Sequence, residues 1–153
     1  MKIMLFVCLL LMGRLSHAQT TEAAEPFRGA NTIMVHTPDS MSAALNKLAR
    51  VLVLQGYTID KLDLTLGYLV TKGQPVGQIT PAIYTYKAVA IPEGQGSALR
   101  ITGEYSFPAG LRTITESMFW VKGNLPHAKQ CFTGAEKAAL SYAGGRVGYL
   151  LQP

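Results

Sequence analysis

The sequence predicts an α+β domain of two layers: an antiparallel sheet of about four to five strands with two helices packed on one of its faces. Three observations predict it. Residues 38–55 carry apolar side chains at helical spacing, residues 57–107 switch to the two-residue period of strands, and residues 124–143 return to helical spacing. Strands gathered between two helices argue for antiparallel pairing with the helices on one side.

The elements follow in order. Asn31 to His36 alternates, with Ile33 and Val35 on one face, and reads as a short strand ahead of Pro38. Thr37 is placed to cap the first helix, with Pro38 at its first position and Asp39 in its first turn. Met41, Ala44, Leu45, Leu48 and Leu52 form one apolar face. Val51, Val53 and Leu54 widen that face, so this end of the helix is expected to be buried on more than one side. Gly56 stops the helix.

From Tyr57 to Thr71 the alternation slips by one residue near Lys61, which would turn every later side chain to the other face. Either a bulge absorbs the slip or residues 61–65 turn, and the reading favours two extended pieces with a kink. Any recognition surface is expected first beside this irregularity. Lys72 to Thr80, with Gly73, Pro75 and Gly77, reads as a loop. Residues 81–91 and 98–107 read as a hairpin around the PEGQGS turn, with Tyr84, Tyr86, Leu99 and Tyr105 facing inward and Arg100, Thr102 and Glu104 outward. Leu111 to Val121 is a further strand or irregular segment. Asn124 to Ala143 is the second helix, with Cys131 and Phe132 on its apolar stripe, and residues 146–151 return as an edge strand. Gly134 in mid-helix costs about 1 kcal/mol against alanine, so that helix depends on packing.

Residues 1–18 have the form of a cleaved secretory signal: Lys2, an apolar run from Ile3 to Met12, and Ser16-His17-Ala18 before Gln19. The run is shorter than the roughly 20 residues of a permanent membrane span. Residues 19–30 read as a flexible lead-in and residues 31–153 as one domain. The chain is therefore expected to be exported, to the periplasm or beyond. Without Lys2 and Arg14 the chain keeps twelve basic and nine acidic residues, evenly spread, which argues against a nucleic-acid partner. Cys131 is then its single cysteine, leaving no internal disulfide, and no Asn-x-Ser/Thr sequence occurs, both in keeping with a bacterial envelope.

Helix, Gly-aromatic stop, extended segment with Asp63 and Gly67, hairpin and C-terminal helix together resemble the small helix-grip or TBP-like domains of bacterial envelope proteins, among them a lipoprotein of the outer-membrane β-barrel assembly machinery. The resemblance covers about residues 31–151 and implies a scaffold or interaction role.

No catalytic or cofactor motif stands out. His127 and Cys131 lie four apart on one helix face, but a metal needs three or four ligands. Cys131 is expected to be a buried small hydrophobe and His127 a surface residue. Asp60 and Asp63 read as a solvated turn. The expectation is a protein that is not an enzyme, without metal or cofactor. Its partner would be an envelope protein, met through the sheet face or edge strands. The alternative is a small apolar ligand held between helix 38–55 and the sheet, in a pocket lined by Leu52, Tyr68, Tyr84, Tyr86, Tyr105 and Trp120. Oligomeric state is left open by the sequence.

Overall fold

The structure is a computed structural model that describes residues 22–76, 82–123 and 126–153. The expected signal segment 1–18 lies outside the described residues. The order is β1 (Thr32–Thr37), α1 (Met41–Leu54), β2 (Ile59–Asp63), β3 (Tyr68–Thr71), β4 (Gln74–Val76), β5 (Ala82–Glu93), β6 (Gly96–Ala109), β7 (Arg112–Ser117), α2 (Pro126–Leu140) and β8 (Arg146–Leu150). All eight strands join one antiparallel sheet, ordered β2-β3-β5-β6-β1-β8, with β4 also on β5 and β7 also on β6.

This overturns the expected four- to five-stranded sheet and, with it, the helix-grip or TBP-like assignment. The cause is the length of β5 and β6, which pair along their whole length from Ile83↔Ser106 to Glu93↔Gly96. Each then serves two neighbours on its outer side. β5 takes β3 at Lys87–Val89 and β4 at Ala82–Tyr84; β6 takes β1 at Ser97–Ile101 and β7 at Glu104–Ala109.

Tyr84, Tyr86, Ala88 and Ala90 of β5, with Leu99, Ile101 and Tyr105 of β6, form the floor of the core. Ala44, Leu45, Leu48 and Leu52 of α1 and Ala128, Cys131, Phe132 and Ala135 of α2 cover it. The mid-helix glycine of α2 has a packing reason. A Cβ on Gly134 would fall onto the Tyr86 hydroxyl and 3.1 Å from that of Tyr57, so only glycine lets α2 lie this close to the two rings. The Tyr86 hydroxyl is satisfied there by donating to the Cys131 carbonyl at 3.0 Å.

Several boundaries move from expectation. Ser40, not Thr37, caps α1: its Oγ accepts from the Ala43 amide at 3.4 Å, while Thr37 remains in β1. The Asn124 cap lies outside the described residues. The slip at Lys61 is resolved by both devices at once. The register shifts between Ile59 and Lys61, and the chain then turns so that β2 and β3 form a hairpin. Asp63 holds that turn by accepting from the Thr65 and Leu66 amides at 3.0 and 2.8 Å, and Gly67 supplies its positive φ of 74°. Part of the expected loop at Lys72 to Thr80 is strand β4.

Residues 22–30, expected as a flexible lead-in, are clasped to the sheet. Ala23 exchanges both backbone hydrogen bonds with Tyr149 of β8, at 3.0 and 2.8 Å. Phe27 packs on the core and Ala30 is fully buried. Trp120, expected near a strand, lies just past β7 and fixes this segment: its amide donates to Ala30 at 2.7 Å, and its carbonyl accepts from Gly29 at 2.9 Å.

Candidate interaction surface

The six residues expected to line a ligand pocket do not come together as one. Leu52 of α1 and Tyr84, Tyr86 and Tyr105 of the sheet are buried in the core between the two layers. Their neighbours Leu45, Leu48 and Leu99 are wholly inaccessible to a water-sized sphere, so no ligand-sized void touches those side chains. Tyr68 is opposite Val89, and therefore on the other face of the sheet from Tyr84 and Tyr86; there it meets the Lys61 ammonium at 5.4 Å from its ring. Trp120 sits with residues 29–30, as described.

His127 is half-buried rather than a free surface group. Its ring stacks on Phe107 at 5.6 Å and lies near Tyr105 at 6.2 Å. The Tyr84 hydroxyl, 3.4 Å from its Nδ1, donates to Gln130 Oε1 at 3.0 Å, and the Tyr105 hydroxyl donates to Glu116. Burial pushes the Tyr84 phenol up to about 12, so it stays a neutral donor. Cys131 is fully buried, and burial pushes its thiol up to about 12, which removes the thiolate a nucleophile needs. Among the described residues, no three His, Cys, Asp or Glu side chains converge to hold a metal ion.

On the opposite face, His36 of β1 lies between two carboxylates. Its Nδ1 is 2.6 Å from Glu93 of β5, and its Nε2 is 2.8 Å from Glu22. Two carboxylates on two ring nitrogens require both to carry protons. Burial alone would lower the His36 pKa, but the hydrogen bonds it donates to Glu93 and Glu22 outweigh this and raise it above the usual histidine value. Gly148 makes the approach possible, because a Cβ there would fall on the Glu22 carboxylate. Arg146 adds a longer contact to Glu22, 3.5 Å from Nη1. Sequence reasoning passed over this cluster, since its members lie in three separate segments with no shared spacing.

The largest departure from expectation is at the end of α1. Val53 and Leu54, taken as a sign of extra burial, are 55% and 87% exposed. On α2, Leu140 is 64% exposed. Leu54 and Leu140 flank the contact that ties the two helix ends, Gln55 Nε2 donating to Ser141 Oγ at 3.4 Å. Val53 and Leu54 line an open groove on α1 together with Asn46, Ala49 and Arg50. The turn between β2 and β3, where a recognition surface was expected first, also exposes Leu64 and Leu66.

Comparison with protein-family models and with curated protein sequences finds no match. Among the described residues, no helix is long and apolar enough to cross a membrane.

Proposed function

We propose that the chain is a non-catalytic exported domain that acts through protein–protein contacts in the bacterial cell envelope. The observation that carries this reading is the open groove on α1 lined by Ala49, Val53 and Leu54, with Asn46 and Arg50, beside a core whose side chains are already covered. Large aliphatic side chains exposed together, outside the core, are the kind of surface that a protein partner covers. Export rests on the signal-like segment ending at Ala18. The reading as a carrier of small apolar ligands needs unfilled volume beneath α1, and the inaccessible side chains of Leu45 and Leu48 give it no support.

A photo-crosslinking residue at position 46 or 54 should capture one and the same envelope protein in living cells. Positions 87 and 133, on other exposed faces, serve as controls. Leu54→Asp should abolish capture from position 46. Equal capture at all four positions, or none at 46 and 54, would overturn the reading. The mass of the exported protein tests the address separately, with Gln19 expected at its N-terminus.

A further inference from the structure

We propose that β7 is a self-association edge: two copies of this chain pair their β7 strands antiparallel about a two-fold axis at Ile114, fusing their sheets. This surface is distinct from the α1 groove, and neither reading depends on the other.

The direction of the backbone groups comes first. The Met118 amide donates to Gly103 at 2.8 Å, and this pair continues the β6–β7 register of Glu104↔Ser117 and Tyr105↔Glu116. In an antiparallel ladder, bonded and non-bonded pairs alternate. Glu116, Ile114 and Arg112 therefore spend their N–H and C=O groups on β6, while those of Thr113, Thr115 and Ser117 point away from it. Among the described residues no strand meets that outer edge, and all six residues of β7 are exposed.

The side chains then select the partner. Because the free groups belong to odd-numbered residues, a second β7 can pair only with odd residues opposite odd ones, which centres the two-fold axis on a residue. Centred on Ile114, the strand places Arg112 opposite the partner's Glu116, Ile114 opposite itself, and Thr113 opposite the partner's Thr115. Opposite charges, matched aliphatics and matched threonines each stabilise a cross-strand pair. Centred instead on Thr113, Arg112 would face Ile114; centred on Thr115, Ile114 would face Glu116. Only one register satisfies both the charges and the apolar residue.

Charged residues on an edge strand ordinarily repel other strands. Here the two charges are opposite in sign and symmetric about Ile114, so they complement a second copy of the same strand. Glu116 keeps a free oxygen for this, because Tyr105 occupies only part of its accepting capacity. The contact is isologous and closes at two subunits. A pairing of six residues falls short of the roughly 1,000 Å² of a tight interface, so the dimer should be weak and concentration-dependent.

Cysteine trapping tests the register. Ile114→Cys places two thiols across a close, non-bonded pair, whereas Thr113→Cys and Thr115→Cys each place like thiols on a diagonal, near or beyond the roughly 7 Å limit for a disulfide. Cys131 is buried and does not compete. Mild oxidation should convert Ile114→Cys to a disulfide-linked dimer about ten-fold more than either neighbour. Adding Arg112→Glu should cut that yield about ten-fold, and adding Glu116→Arg to the same chain should restore it. Circular dichroism confirms that each variant is folded. Equal trapping at 113, 114 and 115, a yield indifferent to Arg112→Glu, or sedimentation of the unaltered chain as a monomer up to millimolar concentration would each overturn the proposal.

Discussion

β8 and β7 are both outer strands on the same flank of the sheet, and the chain treats them in opposite ways. β8 is covered: Ala23 bonds to Tyr149, and Glu22 reaches over Gly148 to His36. β7 is bare, with all six residues exposed and no covering segment among the described residues. An uncovered strand edge is a template for pairing, and proteins ordinarily block it. Nine residues ahead of β1 are spent on blocking one edge. Leaving the neighbouring one open is the feature that the self-association proposal explains.

The clasp over β8 can be broken in steps. Phe27→Ala removes a half-buried ring that anchors residues 22–30 and should cost about 2 kcal/mol, read as a lower urea midpoint. Gly148→Val should displace Glu22 from His36 and cost about 1.5 kcal/mol, with the His36 pKa falling in an NMR titration.

His36→Gln should cost about 1 kcal/mol, and only in part of the pH range. The folded state raises the His36 pKa, so its stabilisation is complete below the unfolded value near 6.5 and is lost as pH rises through the folded value. The variant should therefore be clearly weaker than the unaltered chain at about pH 5.5 and nearly equal to it at about pH 9, by urea unfolding at each pH.

The smallest effect on stability is expected on the open side. Thr115→Pro removes an amide that β6 does not use, so the isolated chain should lose less than about 1 kcal/mol. The same variant should abolish the concentration-dependent dimer in sedimentation. A large loss of stability would show that this edge is already bonded within the chain.

Much of the local structure was legible in the residues, and the assembly was not. The alternation of β5 and β6, the apolar stripes of α1 and α2 and the burial of Cys131 all follow from periodicity. Strand β4 was hidden by Gly73 and Pro75, although Pro75 is tolerated on an edge strand. The strand count failed because a pattern of alternation gives a strand's length and faces without its partners. Two long strands, each flanked in succession by two short ones, look from the sequence like a simple hairpin.

Burial at the helix ends departs from the periodicity for a related reason. The widened apolar arc at Val53 and Leu54 states that a surface is apolar, and it does not state that this chain covers it. The expected pocket failed on parity: Tyr68 belongs to a strand whose register puts it on the far face, which no spacing within residues 57–71 could reveal. His36, Glu22 and Glu93 meet only through the sheet's topology.

Amide hydrogen exchange followed residue by residue compares the two edges directly. The Tyr149 amide, bonded to Ala23, should be protected at every protein concentration, while the Thr113, Thr115 and Ser117 amides should exchange freely in dilute solution and gain protection as concentration rises. Free exchange at Tyr149, or protection of the three β7 amides that is the same at all concentrations, would contradict the account of one closed and one open edge.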